Sequence, residues 1–213
     1  MVKSILENAP KNNKKKRNLR QRKRRPQDIR AVILVGFMGA GKSSVGRALA
    51  AELGWTFEDL DQRIESRDGR SVAEIFRLSG EAEFRRKEHD ALKQLLGELR
   101  DGSEAVIALG GGAFIQKTNA RLIKASGIPT VFLDAGVDEL WRRCMQESAN
   151  AGAERPLLSR AEGFRDLYEK RRPHYLKARL RHDTGGKAVE QIASELIHTL
   201  GLNRRGGERG ENQ

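Results

Sequence analysis

A three-layer α/β fold, with a central parallel sheet flanked by helices and a mobile lid, is predicted by three observations. Short β-branched apolar runs alternate along the chain with longer stretches whose apolar residues recur at helical spacing, the mark of parallel strands joined by crossover helices. The first run, Ala31-Val-Ile-Leu-Val35, leads directly into Gly36-Phe-Met-Gly-Ala-Gly-Lys-Ser-Ser44 and then into the amphipathic stretch Val45 to Leu53. Strand, glycine-rich loop and helix therefore follow one another as a phosphate-binding unit requires. A second glycine cluster, Gly110-Gly-Gly112, follows another run that reads as a buried strand, Glu104 to Leu109. Backbone must approach either a ligand or the neighbouring loop closely there.

Composition limits what can be built around this unit. A chain of 213 residues suits one packed domain plus tails. No apolar run is long enough to cross a bilayer and the N-terminus lacks the apolar middle of a secretion signal, so a cytoplasmic protein without membrane insertion is expected. Residues 1 to 30 hold twelve Lys or Arg against Glu7 and Asp28, which accounts for +10 of the chain's +12 and leaves the remainder at +2. The expected division is a disordered basic arm over residues 1–29, a domain over 30–201 with a lid at about 148–162, and a flexible tail over 202–213. The arm is suited to weak, nonspecific polyanion binding but has no aromatic residue for base stacking. Cys144 is expected to be a packed thiol rather than a nucleophile, because no base is positioned for it.

Each element has a local reason. In the loop after the first strand, Gly36, Gly39 and Gly41 let successive N–H groups turn inward around a phosphate, so the backbone from Gly39 through Ala40, Gly41, Lys42 and Ser43 to Ser44 forms the cradle. The helix starting near Lys42 adds its positive end. Lys42 can reach the β- and γ-phosphates of a nucleotide and the Ser43 hydroxyl can ligate Mg²⁺. Trp55 to Asp61 reads as a second short strand, on which Asp59 and Asp61, two residues apart, project to the same side and are suited to Mg²⁺ or a substrate hydroxyl.

Ser71 and Glu74 form a capping box that opens a helix, and a second helix meets it at Ser79-Gly80. There Phe84 faces the core while Arg85 or Arg86 is available to the cleft, and His89 reads as a surface or capping residue. Lys117 to Ser126, Val137 to Met145, Ala161 to about Arg172 and Lys187 to Leu200 read as helices. Pro129 to Leu133 and Lys177 to Asp183 read as strands. Ser148 to Ser159 breaks the alternation with small residues followed by Arg155-Pro156, a candidate lid whose Arg155 swings onto the phosphates and excludes water.

Taken together, GFMGAGKSS, the acids of FEDLDQRIE, the run GEAEFRRKE, the triple glycine of LGGGAF, and RPLL in the lid resemble, in order and spacing, the shikimate kinase family of small P-loop kinases. The resemblance spans about Arg30 to Leu200. It implies a P-loop kinase fold and transfer of the γ-phosphoryl group of Mg·ATP to the 3-hydroxyl of shikimate in aromatic amino-acid biosynthesis; a monomer is expected. It further implies that Asp61 holds that hydroxyl and takes its proton, and that Asp59 with Ser43 holds Mg²⁺. Arg85 and Arg171 would bind the substrate carboxylate, Gly111 would donate its N–H to a hydroxyl, and Lys42 with Arg155 would steady the transferring phosphoryl group. Lys187 would stand where a family arginine meets the nucleotide. In place of the arginine that family members often carry before RPLL, this chain has ESANAGAE.

Charge alone also fits a kinase of another small metabolite such as gluconate, since that acceptor likewise combines a carboxylate with hydroxyls. A third reading is a nucleic-acid-binding protein acting through the arm. The EFRR and GGG motifs favour shikimate.

Overall fold

The computed structural model describes residues 29–99, 102–151 and 161–203. The basic arm, Arg155 and most of the expected lid and tail lie outside the described residues. Five parallel strands form one sheet in the order β2-β3-β1-β4-β5: β1 (Ala31–Val35), β2 (Thr56–Asp59), β3 (Ala105–Ala108), β4 (Thr130–Asp134) and β5 (Leu180–Asp183). β1, β3 and β4 are buried along their whole length, as befits central strands covered on both faces; β1 and β3 are apolar throughout, and β4 carries Thr130 and Asp134 at its two ends. β1 stands between β3 and β4, so the chain leaves it toward one half of the sheet and later returns to build the other. Such a reversal opens a crevice outside the C-terminal ends of the strands.

Helix α1 (Lys42–Leu53) follows β1 and packs against α7 (Val189–Leu200), with Val45, Leu49 and Leu53 meeting a core that includes Ile192 and Leu196. A side chain at Gly46 would run into the Phe57 ring, so this glycine sets how closely α1 lies on β2. Helices α2 (Leu60–Asp68), α3 (Val72–Glu98) and α4 (Lys117–Ser126) follow in sequence. The Ser71–Glu74 capping box opens α3, and Gly80, at φ 79° and ψ 169°, breaks it.

Several boundaries differ from the sequence reading. The second strand stops at Asp59, and Asp61 lies in the first turn of α2 rather than beside Asp59 on an extended segment. The cause is local: Asp59 Oδ1 accepts from the backbone N–H of Asp61 at 3.0 Å and of Gln62 at 3.4 Å, so it caps the helix and turns the chain. Helix α5 (Val137–Ala151) continues past Met145 through the small residues at the start of the expected lid, while α6 (Ala161–Tyr175) carries Pro173 within its final turn. α6 is fastened to the sheet by Asp134, a buried carboxylate at the end of β4 that accepts from Arg172 at 2.7 Å and from Arg181 at 2.8 Å. His89 is half-buried and bonded to Asn119 at 2.8 Å. Among the described residues no helix is long and apolar enough to cross a membrane.

Candidate active site

The loop between β1 and α1 is shaped by what lies behind it. Gly39 and Gly41 take left-handed angles, φ 77° and 79°. A Cβ on Gly39 would fall 2.6 Å from the carbonyl oxygen of Leu140 and 2.9 Å from Cys144 Sγ, so α5 presses on the loop and the buried cysteine has a packing role there. Lys42 Nζ donates back to the carbonyl oxygens of Gly36 at 3.1 Å and Phe37 at 2.9 Å, closing the loop into a ring. Burial lowers the pKa of this ammonium, and the negative charges of Asp61 and Asp59 act against that. Gly41 caps α1 without a side-chain bond, which leaves the start of the helix open to an anion. Ala40 is buried beneath the loop and Ser44 is exposed on α1.

Ser43 Oγ donates to Asp59 Oδ2 at 2.7 Å. One carboxylate therefore ties the phosphate loop to the start of α2, with Oδ1 as the cap and Oδ2 toward Ser43. The same turn carries Asp61 inward. Asp61 Oδ1 is buried with no hydrogen-bond partner among the described residues. Its pKa is raised to about 6, first by burial and next by Asp59, against the opposing charges of Lys42 and Arg85.

The glycine triplet after β3 is where the groups converge. A Cβ on Gly110 would fall 2.5 Å from Asp61 Oδ1, and one on Gly112 would fall 2.5 and 2.6 Å from the two terminal nitrogens of Arg85. The corresponding position on Gly111 is 3.6 Å from Arg171 Nη1, 3.7 Å from the Tyr175 hydroxyl and 3.8 Å from the Gly36 carbonyl oxygen of the phosphate loop. Of the two approaches expected for the triplet, the one to the neighbouring loop is present, and Asp61, Arg85 and Arg171 also lie against these glycines. Arg85 and not Arg86 enters the cleft, because Arg86 is taken up on the surface by Glu83 and Asp90.

Two participants escaped the sequence reading. Glu88, 1% exposed, accepts from Arg85 Nη1 at 2.9 and 3.1 Å, and burial raises its pKa to about 7 although the Arg85 charge opposes this. The spacing of three along a helix was the available signal. The buried Tyr175 hydroxyl donates to the carbonyl oxygen of Gly111, and burial raises the phenol pKa to about 12. Its position four residues after Arg171 puts both on one face of α6, but nothing in the sequence identifies its partner. Lys187, expected to meet the nucleotide, pairs with Glu195 of α7 at 2.7 Å, beside His182.

Among the described residues no group of three or more His, Cys, Asp or Glu is arranged to hold a metal ion by itself. A cation bridging phosphates needs only one or two protein oxygens, and Ser43 with Asp59 meets that requirement. The arrangement thus offers a glycine loop open at a helix start, an acid with an unused oxygen, and two guanidinium groups beside the same glycines.

The family model described as shikimate kinase matches residues 38–201. A shikimate kinase of Persephonella marina is 37% identical over 170 residues, covering 79% of this chain and 98% of that protein. One of Cereibacter sphaeroides is 42% identical over 174 residues, covering 80% and 82%. Among solved structures, shikimate kinase from Acinetobacter baumannii in complex with shikimate superposes with a TM-score of 0.73 at 32% identity, covering 84% of this chain and 97% of that one.

Proposed function

The chain belongs to the shikimate kinase family, and from that premise we propose how its residues divide the work of moving the ATP γ-phosphoryl group onto the 3-hydroxyl of shikimate, a step of aromatic amino-acid biosynthesis. The reading is carried by one observation: Asp61 and Arg85 press on Gly110 and Gly112, two residues of one triplet, from different elements. A small polyol acid seated over that triplet meets a carboxylate at its hydroxyl end and guanidinium groups at its carboxylate end.

Arg85, held by Glu88, and Arg171 bind the substrate carboxylate, and the N–H of Gly111 donates to a hydroxyl. Asp61 accepts the hydrogen of the 3-hydroxyl and takes its proton as the oxygen attacks. Two features support this: its Oδ1 has no partner among the described residues, and a pKa of about 6 keeps most of it ionised at neutral pH while leaving it basic enough to share a proton. Lys42 faces the β- and γ-phosphates, in exchange for its contacts with the Gly36 and Phe37 carbonyls, and balances charge during transfer. Arg155, outside the described residues, is assigned to the same task.

Backbone N–H groups from Gly39 to Ser44 cradle the phosphates. Ser43 and Asp59 would hold Mg²⁺, which when bound supplies charge neutralisation between the β- and γ-phosphates. Lys187 reaches the nucleotide only by leaving Glu195. With little covalent chemistry needed from the protein, orientation and fixed charge are its main contribution.

An ADP-release assay against a panel of acceptors tests the pocket reading. Turnover is expected with shikimate and not with gluconate, whose carboxylate is carried on an open chain. Comparable turnover with gluconate would mean that the glycine triplet and the two arginines do not select the acceptor.

A further inference from the structure

We propose that Tyr175 is a positioning residue for the acceptor pocket, acting through the peptide between Gly111 and Gly112. Its ring is fully buried and packs against Phe132 of β4 with centroids 5.4 Å apart. Its hydroxyl donates to the carbonyl oxygen of Gly111, and with the phenol pKa pushed up by burial it remains a donor across the working pH range.

The geometry makes this single bond consequential. Three consecutive glycines have little intrinsic preference for any conformation; the turn that follows holds the Gly110 carbonyl through the Ala113 N–H and the Gly112 carbonyl through the Ile115 N–H, and Tyr175 holds the Gly111 carbonyl between them. A trans peptide directs its C=O and its N–H to opposite sides. Fixing the Gly111 carbonyl therefore also fixes the direction of the Gly112 N–H, on the residue that lies against Arg85. It holds Gly111 itself beside Arg171, which shares a face of α6 with Tyr175. One hydroxyl thus sets the registry between the α6 arginine and the backbone facing the Arg85 clamp. α6 is docked separately through Asp134 and Arg172, and through the Tyr168 hydroxyl, which donates to the Ala135 carbonyl at 3.2 Å. Tyr175 is accordingly not needed merely to keep the helix in place.

The inference rests on the triplet being the acceptor site, so the test separates the two. Tyr175→Phe keeps the ring and removes the donor. The expected result is a roughly tenfold rise in shikimate KM, with ATP KM within about twofold of normal and the thermal midpoint little changed. Tyr168→Phe removes the other α6 hydroxyl and is expected to leave both KM values unaltered. No change in Tyr175→Phe, an equal rise for both substrates, or an equal effect from Tyr168→Phe would overturn the proposal. Arg85→Ala in the same series tests the pocket itself; if it too leaves shikimate KM unaltered, the site assignment has failed and not only the role of Tyr175.

Should Tyr175→Phe not fold, the wild-type chain labelled with 3-fluorotyrosine gives a second readout, since it has only two tyrosines. The fluorine resonance of residue 175, assigned by its persistence in Tyr168→Phe, is expected to shift on saturation with shikimate. A resonance that ignores shikimate would overturn the proposal.

Discussion

One terminal nitrogen of Arg85 donates to both oxygens of Glu88, at 2.9 and 3.1 Å, and Glu88 is a buried carboxylate. The guanidinium is further fixed by Glu81 at 3.2 Å and by the Phe84 ring, 5.2 Å from its centre. A group held from three sides is oriented before substrate arrives, which reduces the ordering cost of binding.

If Arg85 is the carboxylate clamp, Arg85→Ala removes a charge-assisted contact and shikimate should bind about 10- to 100-fold more weakly, with ATP binding largely kept. Glu88→Gln preserves shape but loosens the guanidinium, and a rise in shikimate KM of about threefold to tenfold is expected. Calorimetric titration of each variant with both substrates checks this. Equal damage to nucleotide affinity would count against the clamp.

The role proposed for Asp61 separates activity from stability. Asp61→Asn cannot accept the proton, and kcat should fall by about 10²- to 10⁴-fold. In the wild type, kcat/KM should fall as pH drops below the raised pKa of about 6, and that limb should be lost in the variant's residual rate. For stability the sign is opposite to that of a salt-bridged acid. The folded-state pKa lies above the usual 3.8, so the folded protein binds the extra proton; this carboxyl's unfavourable contribution is absent below about pH 4 and complete above about pH 6. Asp61→Asn should therefore stabilise the fold at pH 7, by as much as about 3 kcal/mol. Near-normal kcat, or a lower thermal midpoint at pH 7, would contradict the assignment.

What was legible in the sequence was what is decided locally. The buried run Ala31 to Val35, the left-handed glycines of the phosphate loop, the Ser71–Glu74 cap and the Gly80 break each depend on residues a few positions apart, and the structure has all of them. The placement of Asp61 failed for a related reason. Alternation along Trp55 to Asp61 looks like continued strand, and it does not reveal that Asp59 stops being a strand residue and becomes a cap. The contacts that assemble the pocket are of another kind. Tyr175 and Gly111 are 64 residues apart, and Arg85 meets Gly112 only because α3 packs against the turn that follows the triplet. Composition offers no signal for such pairs; the glycine triplet announced a close approach but not its partners. Lys187, which the family resemblance places near the nucleotide, is paired with Glu195, eight residues on.

Lys42 is half-buried and turned back onto two carbonyl oxygens, and the Arg85 charge also acts on Asp61, so removing Lys42 does not leave that carboxylate without a compensating cation. Lys42→Met is expected to fold, as judged by circular dichroism, and to lose at least about 10²-fold in kcat. Shikimate binding measured without nucleotide should be little affected. A variant that turns over at a normal rate would remove Lys42 from the transfer step.

Asp59 does two jobs with two oxygens, and substitution can separate them. Asp59→Asn keeps an acceptor for the α2 cap, since asparagine caps helices as well as aspartate does, but loses the charge that would face a cation beside Ser43. The expected outcome is a stability near that of the wild type together with a several-fold rise in the Mg²⁺ concentration that gives half-maximal turnover. Asp59→Ala loses both functions, so it should show at least the same Mg²⁺ shift plus about 1 kcal/mol of lost stability from the unsatisfied helix start. Ser43→Ala should resemble Asp59→Asn, because it removes the other oxygen of the pair at 2.7 Å without touching the cap. Titrating activity against Mg²⁺ in the three variants, alongside thermal unfolding, distinguishes the roles. If Asp59→Asn lowers the thermal midpoint as much as Asp59→Ala and leaves the Mg²⁺ requirement unchanged, the carboxylate serves the helix alone and the cation must be held elsewhere.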